Sequence, residues 1–401
     1  MFEKLEAAPP DPILALAGLA RADTRPQKLD LGIGIYLDED GNAPVMAAVR
    51  RAEQRVLDGE VSKAYLPASG NAAFLERLGR KVFGEGLWTG RRERFGGIQS
   101  TGCVAALRLG AEVLRRAGCR RIWVSDPTWP IHDPIFLAAG LEPVSYPYYS
   151  VGAAGVAWDE MVGAVSRMER GDAILLHAGC HNPSGADPTI DQWDELAKLL
   201  RDREVLPFFD VAYAGLGYGW DEDLAGVRAL VEATGEALIA VSCSKSFALY
   251  RERTGALYFM SRQAQEVGKV LSNAMSAART NYSMPPDHGA AAVAELLGDS
   301  ELEAEWLAEL GRMRTRIGTL RETLVQEAFE AGLDWRYLRD QRGMFSLLPL
   351  DGEQVVRLRD DFGIYMPTNG RICIPALARI GAGYLAKSCG ILSWMKTAGS
   401  G

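Results

Sequence analysis

Five short apolar segments in the middle of the chain alternate with amphipathic ones, and this alternation constrains the fold more than any other feature. The apolar segments are RRIWVSD (120–126), DAILLHAG (172–179), VLPFFDVAY (205–213), EALIAVSC (236–243) and TGALYFM (254–260). Such runs are typical of strands buried on both faces of a parallel sheet. Helical patterns, including CVAALRLGAEVLRRAG (103–118) and TIDQWDELAKLLRDRE (189–204), lie between or before them. The order predicts an open α/β sheet with helices on both faces.

The pattern changes beyond about residue 300. The segment ELEAEWLAELGRMRTRIGTLRETLVQEAFEAG (301–332) predicts one long amphipathic helix. We expect this helix to lead into a smaller C-terminal α+β domain, since 401 residues are enough for two or three domains.

Charge and cysteine content exclude several classes of protein. The net charge of −8 argues against nucleic acid or an anionic membrane as a partner. The chain has no run of 18 or more apolar residues, and its start, MFEKLEAAPPDPILALAG, lacks the basic and apolar regions of a signal peptide. None of the six cysteines forms a CxxC pair, so we expect no metal site and no disulfide framework. We expect a reducing compartment, the cytoplasm.

Polar side chains follow four of the predicted strands. Ligands of open α/β sheets bind beyond the carboxyl ends of the strands, so these side chains are the first candidates for a site. They are Trp129 and His132 after the first strand, Asn182 after the second, Asp210 and Tyr213 at the third, and Lys245 after the fourth.

Most of these residues also have a structural explanation when taken singly. An aspartate at a strand end can cap a loop, an asparagine before proline suits a turn, and His132, His177 or Trp129 could belong to the core. Arg371 could be a surface arginine beside a strand. Lys245 is the exception, because it ends an apolar run between two serines in SCSKSF, and a buried lysine must be paired or neutral.

Pyridoxal 5′-phosphate (PLP) requires these residue types. Its lysine must lose a proton easily in order to act as nucleophile and base. A carboxylate must keep the ring nitrogen protonated, so that the ring accepts electrons. Its phosphate needs an arginine, hydroxyl groups and the N–H groups of a helix N-terminus.

A series of motifs in fixed order carries a resemblance to a known family. The motifs are LDLGIGIY, KAYLP, SDPTWPIH, HNPSGADPT, FFDVAYAG, SCSKSFALYRER, NYSMPP, GMFS and GRICIPAL. They resemble those of fold-type I PLP aminotransferases, in the subgroup of aspartate and aromatic amino acid aminotransferases, and most of all the bacterial aromatic (tyrosine) enzymes. The likeness covers nearly the whole chain.

The resemblance implies the architecture. It implies a large PLP-binding domain with a mostly parallel seven-stranded sheet flanked by helices, and a smaller α+β domain formed from both chain ends. We place the N-terminal arm and the first part of the smaller domain at residues 1–44. The large domain follows at 45–312, and the remainder of the smaller domain at 313–401.

The resemblance also implies the cofactor contacts. The matches to the family's ring contacts are Lys245 (the Schiff base), Asp210 (the ring nitrogen), Tyr213 and Asn182 (O3′), Trp129 (ring stacking), and His132 and His177 (behind Asp210). The matches to its phosphate contacts are Ser242, Arg253, the loop Gly102, Cys103 and Val104, and Tyr65, which reaches the phosphate of a neighbouring subunit. The last match implies a homodimer with composite sites.

The implied reaction is transamination between amino acids and 2-oxo acids. Arg371 matches the arginine that binds the substrate α-carboxylate, and Gly34 the glycine whose backbone lies against the substrate. Arg279 matches the cross-subunit arginine that pairs with dicarboxylic substrates. Lys245 would move the proton at Cα, with Asp210, Tyr213 and Trp129 completing the catalytic set; Asn182 and Trp129 also face the substrate.

The phosphate loop departs from the family pattern. The usual (S/G)-G-T-G-A-L-R is replaced by GCVAALR at Gly102–Arg108, so the threonine hydroxyl is lost at Val104. Ser100 or Thr101 are candidates to replace it. The lysine motif reads SKSFALY where SKNFGLY is usual. We expect a lower affinity for PLP and unchanged chemistry.

Substrate specificity is predicted from polar-to-apolar changes. Positions that are commonly polar in the aspartate branch are apolar in this chain; they are Leu37, Ala43, Ala64, Val104 and Met284, with the branched Ile35 beside them. An apolar lining favours a ring over a desolvated carboxylate. We therefore expect transamination of tyrosine, phenylalanine and tryptophan with 2-oxoglutarate, and some aspartate and glutamate activity through Arg279.

Other functions remain open. The first alternative is an aspartate aminotransferase, and another is a PLP lyase or decarboxylase, against which the retention of both Arg371 and Arg279 argues. A non-enzymatic interaction protein would not need Lys245, Asp210 and Arg253. A nicotinamide dehydrogenase is rejected, because neither LGIGIY nor GLGYG has the GxGxxG spacing between a strand and a helix.

Overall fold

The computed structural model describes residues 1–7 and 11–398, and the chain divides into two compact units. The large unit comprises residues 44–315 and 341–343, and the small unit residues 1–43, 316–340 and 344–401. The boundary at residue 315 falls within one long helix, Ser300–Glu330.

The α-helices of the described residues are numbered in chain order. They are α1 (Pro12–Ala22), α2 (Ala47–Gly59), α3 (Ala72–Phe83), α4 (Glu85–Gly90), α5 (Cys103–Arg116), α6 (His132–Ala138), α7 (Trp158–Val165), α8 (Ile190–Arg203), α9 (Trp220–Asp223), α10 (Ala225–Thr234), α11 (Ala264–Asn281), α12 (His288–Leu297), α13 (Ser300–Glu330), α14 (Gly352–Phe362) and α15 (Ala378–Ala398). Single 3₁₀ turns occupy Phe2–Lys4, Arg92–Arg94, Arg336–Asp340 and Ile374–Leu377.

The strands are numbered in the same way. They are β1 (Leu29–Asp30), β2 (Phe95–Thr101), β3 (Arg121–Asp126), β4 (Glu142–Pro147), β5 (Tyr149–Ser150), β6 (Gly155–Val156), β7 (Ala173–His177), β8 (Leu206–Val211), β9 (Ala237–Ser242), β10 (Thr254–Met260), β11 (Phe345–Leu347), β12 (Ile364–Tyr365) and β13 (Arg371–Cys373).

The large unit is built on a seven-stranded sheet in the order β2-β10-β9-β8-β7-β3-β4. β10 is antiparallel to both β2 and β9, and the remaining neighbours are parallel to one another. The predicted α/β fold with a mostly parallel seven-stranded sheet is confirmed. Because β10 runs the opposite way, it begins at the edge where the other strands end.

Helices cover both faces of this sheet. Phe208 and Phe209, adjacent on β8, point to opposite faces: the Phe208 ring centre lies 6.2 Å from that of Phe136 on α6, and the Phe209 ring centre 6.3 Å from that of Trp193 on α8. All the residues of β7, β9 and β10 are buried. Burial on both faces explains why these strands lack the alternation of a half-exposed strand.

Two strands of the sheet were not among the predicted segments. β2 reads FGGIQST, and its paired glycines are weak strand formers. In the structure the rings of β10 need that space: a Cβ on Gly96 would lie 2.2 Å from Cζ of Phe259, and one on Gly97 would lie 2.8 Å from Cδ1 of Tyr258. β4, EPVSYP, lies at the sheet edge, and only Tyr146 of its residues is buried, so it lacks the apolar run of a central strand.

The predicted helices are confirmed with small shifts at their ends. The segment 103–118 forms α5, 189–204 forms α8, and 301–332 forms α13. α8 begins at a capping box in which Thr189 and Gln192 each accept a hydrogen bond from the other's main-chain N–H, which fixes its first turn.

The small unit contains short two-stranded pairings and helices. β1 pairs in parallel with β12, and β11 pairs antiparallel to β13. α14 begins at a capping box formed by Asp351 and Gln354. The main-chain N–H of Cys373 donates to Leu31 O (2.9 Å), which ties β13 to the segment after β1. This pairing brings the segment around Gly32 beside Arg371.

Candidate active site

A cavity of the large unit opens at the carboxyl ends of the parallel strands. Its lining residues are Cys103, Val104, Trp129, Asn182, Asp210, Ala212, Tyr213, Ser242, Ser244, Lys245 and Arg253. They come from the ends of β8 and β9 and the residues after them, from the first turn of α5, from the loops after β3 and β7, and from the residue before β10. The structure thus brings together most of the residues predicted for the cofactor, as expected for the edge of an open α/β sheet.

Asp210 is buried near the end of β8, beside His177 of β7 in the parallel register. Nε2 of His132 lies 3.1 Å from one carboxylate oxygen, Oδ2, and Sγ of Cys103 lies 3.1 Å from the other, Oδ1. Burial disfavours the charged form, but the interactions with His132, and after it with His177 and the Cys103 thiol, outweigh burial and lower the pKa of Asp210. Asp210 is therefore an ionised carboxylate beside the cavity.

A chain of hydrogen bonds fixes the tautomers of the two histidines behind Asp210. The main-chain N–H of Asn182 donates to Nδ1 of His177 across 3.2 Å, so the ring proton of a neutral His177 is on Nε2. Burial, and after it the neighbouring His132, lower the pKa of His177 to about 3, which keeps this ring neutral. Its Nε2 lies 3.2 Å from Oγ1 of Thr128.

Thr128 in turn fixes the tautomer of His132. Oγ1 of Thr128 accepts from His177 and donates to Nδ1 of His132 across 2.8 Å. Nε2 of His132 then carries the ring proton and donates to Asp210. The assignment follows from the hydrogen-bond network, beginning at a main-chain donor whose role is fixed.

Lys245 lies in the turn after β9 and is half-buried. Its Nζ lies 4.9 Å from the ring centre of Tyr213, whose hydroxyl accepts from Nδ2 of Asn182 across 3.3 Å. Nearby serines hold the turn: Ser246 donates to Ala214 O (2.7 Å), and Oγ of Ser242 accepts from the N–H of Ser244 (3.2 Å). The two serines that flank the lysine, 244 and 246, thus fix its main chain.

Arg253 lies against the N-terminus of α5. Gly102 is the N-cap of α5 with φ +80°, and a Cβ at this position would lie 2.7 Å from Nη2 of Arg253. The first N–H groups of a helix have no partner within the helix, and its N-terminus carries partial positive charge. A guanidinium beside such an end forms a site for an anion, and the cavity lining adds the hydroxyls of Ser242 and Ser244.

The threonine hydroxyl that is lost from the phosphate loop at Val104 is not replaced by Ser100. Val104 is 40% exposed at the cavity and offers no hydroxyl. Of its two candidate replacements, Ser100 is fully buried, and its Oγ donates to Gly102 O across 3.0 Å. That hydroxyl is thus engaged in closing the turn before α5.

The small unit carries four of the residues predicted for the substrate: Arg371, Gly34, Ile35 and Leu37. Arg371 is 4% exposed; its Nη2 donates to Gly32 O (2.7 Å) and its guanidinium carbon lies 4.5 Å from the ring centre of Phe345. A Cβ on Gly34 would lie 3.7 Å from Cζ of the same ring. Leu37 O accepts from Nη1 of Arg316 (2.8 Å), and Ile35 O from the thiol of Cys373 (3.6 Å).

Besides Gly102, His132 and His177, whose contacts are given above, four predicted residues of the large unit are not among those that line its cavity. Tyr65 is 91% exposed, and Ala64 beside it is also exposed. Arg279 is exposed at the end of α11 and donates to Oγ of Ser283, while Met284 is half-buried. These positions are the ones for which the resemblance implies a role across a subunit boundary or at the substrate side chain.

Several residues of the site were missed by sequence reasoning. Thr128 links His132 to His177, and its signal is the spacing i, i+4 to His132 just after β3. His181 stacks on His177 with ring centres 4.2 Å apart. Phe345 supports Arg371, and its motif GMFS carried no predicted role. The contact between Cys103 and Asp210 joins residues 107 positions apart, so no local sequence pattern indicates it.

Neither a metal site nor a membrane span is found in the described part of the chain. No three or more histidine, cysteine, aspartate or glutamate side chains there are grouped so as to hold a metal ion. Over those same residues, no helix combines the length and apolar character needed to cross a membrane.

Comparison with known proteins places these observations in a family. The model of the family "Aminotransferase class I and II" matches residues 26–387. The tyrosine aminotransferase of Rhizobium meliloti is 46% identical over 386 residues, which cover 96% of this chain and 98% of that protein. The aspartate aminotransferase of Escherichia coli is 41% identical over 94% of this chain and 96% of its own.

Solved structures share the fold as well. The aromatic amino acid aminotransferase of Burkholderia pseudomallei, covalently bound to pyridoxal phosphate, superposes with a TM-score of 0.94. It is 40% identical in sequence, and the match covers 98% of this chain and 99% of that one.

Proposed function

The chain belongs to the aminotransferase class I and II family, a family of PLP-dependent enzymes, and we propose on that premise that it transfers the amino group of aromatic L-amino acids to 2-oxoglutarate. The substrates are small molecules, namely amino acids and 2-oxo acids. The observation that carries the proposal is the cavity in which Lys245, Asp210 and Arg253 meet at one sheet edge.

The residues of the cavity fit PLP. Arg253 and the N-terminus of α5 are two positive groups side by side, an arrangement that a phosphate stabilises. Ser242 and the loop Gly102–Val104 would complete the phosphate contacts. At the other side of the cavity the ionised Asp210 would hold the ring nitrogen, and Trp129 would lie against the ring. When bound, PLP supplies an electron sink for the bonds at the substrate Cα.

The chain's own residues orient the substrate and move a proton. Lys245 acts as nucleophile toward the cofactor, then as the base and acid at the substrate Cα. Asn182 and Tyr213, joined by a hydrogen bond, would hold the O3′ oxygen of PLP. The negative charge of Asp210 would stabilise the positive charge of the PLP ring nitrogen. His132, Thr128 and His177 would hold Asp210 in its orientation through their hydrogen bonds.

Arg371 would bind the substrate α-carboxylate. It is already oriented by Gly32 O and by the Phe345 ring, so little side-chain freedom is lost on binding. A guanidinium can pair with a carboxylate through two parallel hydrogen bonds, which fixes the direction of the Cα–H bond. Gly34, close to the same ring, would leave room for the substrate backbone.

Specificity for aromatic side chains is proposed from the apolar positions Leu37, Ala43, Ala64, Val104 and Met284, with Ile35 beside them. Burial of a phenyl-sized group contributes roughly 1.5–3 kcal/mol, whereas a desolvated carboxylate costs more unless it is paired. Arg279 retains a partner for dicarboxylic substrates, so some aspartate and glutamate activity is expected. An aspartate aminotransferase is the second candidate, favoured by Arg279 and by the 41% identity to the E. coli enzyme.

We also propose a homodimer in the cytoplasm. Tyr65, which the resemblance assigns to a neighbouring subunit's phosphate, is 91% exposed within one chain, and Val61 nearby is 99% exposed. An apolar, exposed segment of this kind is suited to burial against a second copy. No disulfide joins any of the six cysteines, all of which lie in the described part of the chain, and this suits a reducing compartment. The large unit would be the PLP-binding domain and the small unit the domain formed from both chain ends.

The function is tested by measuring kcat/KM with 2-oxoglutarate for phenylalanine, tyrosine and tryptophan against aspartate. We expect the aromatic substrates to be preferred. A preference for aspartate of about tenfold, which is about 1.4 kcal/mol in transition-state binding, would refute the aromatic assignment. Detection of the 2-oxo acid product distinguishes transamination from lyase or decarboxylase activity, and visible absorbance of bound cofactor distinguishes an enzyme from an interaction protein.

A further inference from the structure

We propose that Cys103 is a positioning residue of this site, whose thiol donates a hydrogen bond to Oδ1 of Asp210 and so sets how strongly that carboxylate pairs with the ring nitrogen of PLP. The inference rests on the proposed function, because it concerns the partner of the residue that would hold the cofactor. It assigns to Cys103 a role beyond the main-chain phosphate contact implied by its loop.

The geometry singles out the carboxylate as the acceptor. Sγ of Cys103 lies 3.1 Å from Oδ1 of Asp210 and 3.7 Å from Ala240 O. A thiol has one proton, and the shorter contact to a charged oxygen takes it. Cys103 is the first residue of α5 and lines the cavity, so the bond lies at the cofactor site.

The protonation states are consistent with this direction of donation. Burial, and after it the negative charge of Asp210, raise the pKa of the Cys103 thiol. The thiol therefore keeps its proton, although a helix N-terminus by itself favours the thiolate. Asp210 is ionised, and Cys103 is among the groups that lower its pKa.

Each oxygen of Asp210 thus accepts from one side chain of the site and keeps capacity for a further donor. His132 donates to Oδ2 and Cys103 to Oδ1, and a carboxylate offers about four acceptor directions, so the ring N–H of PLP can still be accepted. The thiol disperses part of the carboxylate charge. The usual family pattern has glycine at this position, and glycine cannot donate through a side chain.

The bond itself is tested in the cofactor-free protein. The rate of alkylation of Cys103 by iodoacetamide is followed by peptide mass spectrometry between pH 7 and pH 10, for the native chain and for Asp210→Asn. Cys103 is the one half-exposed cysteine, and the other five are buried, so its labelling can be resolved. We expect alkylation at pH 8 to be about tenfold faster in Asp210→Asn, since the charge that raises the thiol pKa is gone. Equal profiles would overturn the proposal.

The effect on the cofactor is tested by the pH at which the visible absorbance of bound PLP changes. In Cys103→Ala the thiol no longer disperses the negative charge of Asp210, which then acts in full on the positively charged ring. We therefore expect the midpoint pH of the absorbance change to rise by about 0.5 unit. Cys103→Ser keeps a donor and should restore at least half of the shift. Cys119→Ala, a buried cysteine whose thiol bonds to Arg121 O, is the matched control and should leave the midpoint unchanged.

The outcomes separate the two proposals. A midpoint in Cys103→Ala equal to that of Cys119→Ala, or a shift that Cys103→Ser does not restore, overturns the role of the thiol. If the native chain neither binds PLP nor transaminates, the proposed function fails, and the alkylation profiles then decide the bond between Cys103 and Asp210 by themselves.

Discussion

The main-chain N–H of Asn182 donates to Nδ1 of His177 across 3.2 Å, and this one contact determines the proton positions of the histidines behind Asp210. The acceptor role that it imposes is lost when His177 is protonated on both nitrogens. Folding therefore selects the neutral ring, in agreement with the lowering of its pKa to about 3 by burial.

Stability should fall with acid through this histidine. A histidine whose folded pKa lies below its unfolded value near 6.5 stabilises the fold above pH 6.5 and loses that contribution as pH falls toward the folded value. Each such group adds at most about 1.4 kcal/mol per pH unit. We expect His177→Asn to reduce the slope of unfolding free energy between pH 6.5 and pH 4.5, measured by denaturant titration of the cofactor-free protein. The exposed His288→Asn is the control; an equal change of slope there would contradict the assignment.

Asp210→Asn should reduce turnover by orders of magnitude with a modest loss of stability. The neutral amide cannot keep the ring nitrogen protonated, while its shape is retained. The matched control is Asp172→Asn, a buried carboxylate that accepts from Nε1 of Trp123 and Nε of Arg121. We expect this control to unfold more easily with unchanged kcat. Gross unfolding of Asp210→Asn with a mild kinetic effect would instead mark it as a loop cap.

Lys245→Ala should abolish transamination while PLP still binds without a covalent bond. The phosphate and ring contacts come from other residues of the cavity, so affinity falls but does not vanish. Turnover and PLP retention on gel filtration would be compared with those of Lys269→Ala, an exposed lysine of α11. Near-native turnover in Lys245→Ala would rule out its assigned role.

Val104→Thr should tighten PLP binding. It returns a hydroxyl to the first turn of α5, where a hydrogen bond to a phosphate contributes about 1 kcal/mol at a partly exposed site, or about fivefold in Kd. Binding of pyridoxal, which has no phosphate, should not change. Val104→Ala separates the hydroxyl from the change in shape, and tightening of PLP in that variant would argue against the explanation.

Much of the site was predictable because strand ends converge. Lys245, Asp210 and Asn182 each follow an apolar run, and parallel strands carry such positions to one edge whatever their separation in sequence. The place of Arg253 at this edge could not be predicted in the same way, because Arg253 precedes a strand instead of following one. Only the antiparallel direction of β10, which no apolar run reveals, brings it to the same edge.

The other features of the fold and the site could not be predicted, because they depend on contacts that no local sequence pattern indicates. The rings of Tyr258 and Phe259 fill the space above Gly96 and Gly97 of β2. The strand β2 is therefore stabilised by its neighbour β10, and its own residues have low strand propensity. The thiol of Cys103 meets Asp210 only after α5 packs on the sheet. Arg371 likewise acquires its orientation from Gly32 and Phe345, which lie far from it in sequence.

The antiparallel pairing of β9 with β10 has a consequence for cofactor retention. Gly255 lies opposite Ser242, so the eleven-residue connection 243–253 begins and ends at the same point of the sheet and carries both Lys245 and Arg253. The residues proposed as the covalent anchor and the phosphate anchor thus belong to a single hairpin. Local opening of that hairpin would release both ends of the cofactor together, so the residence time of PLP is governed by one cooperative event.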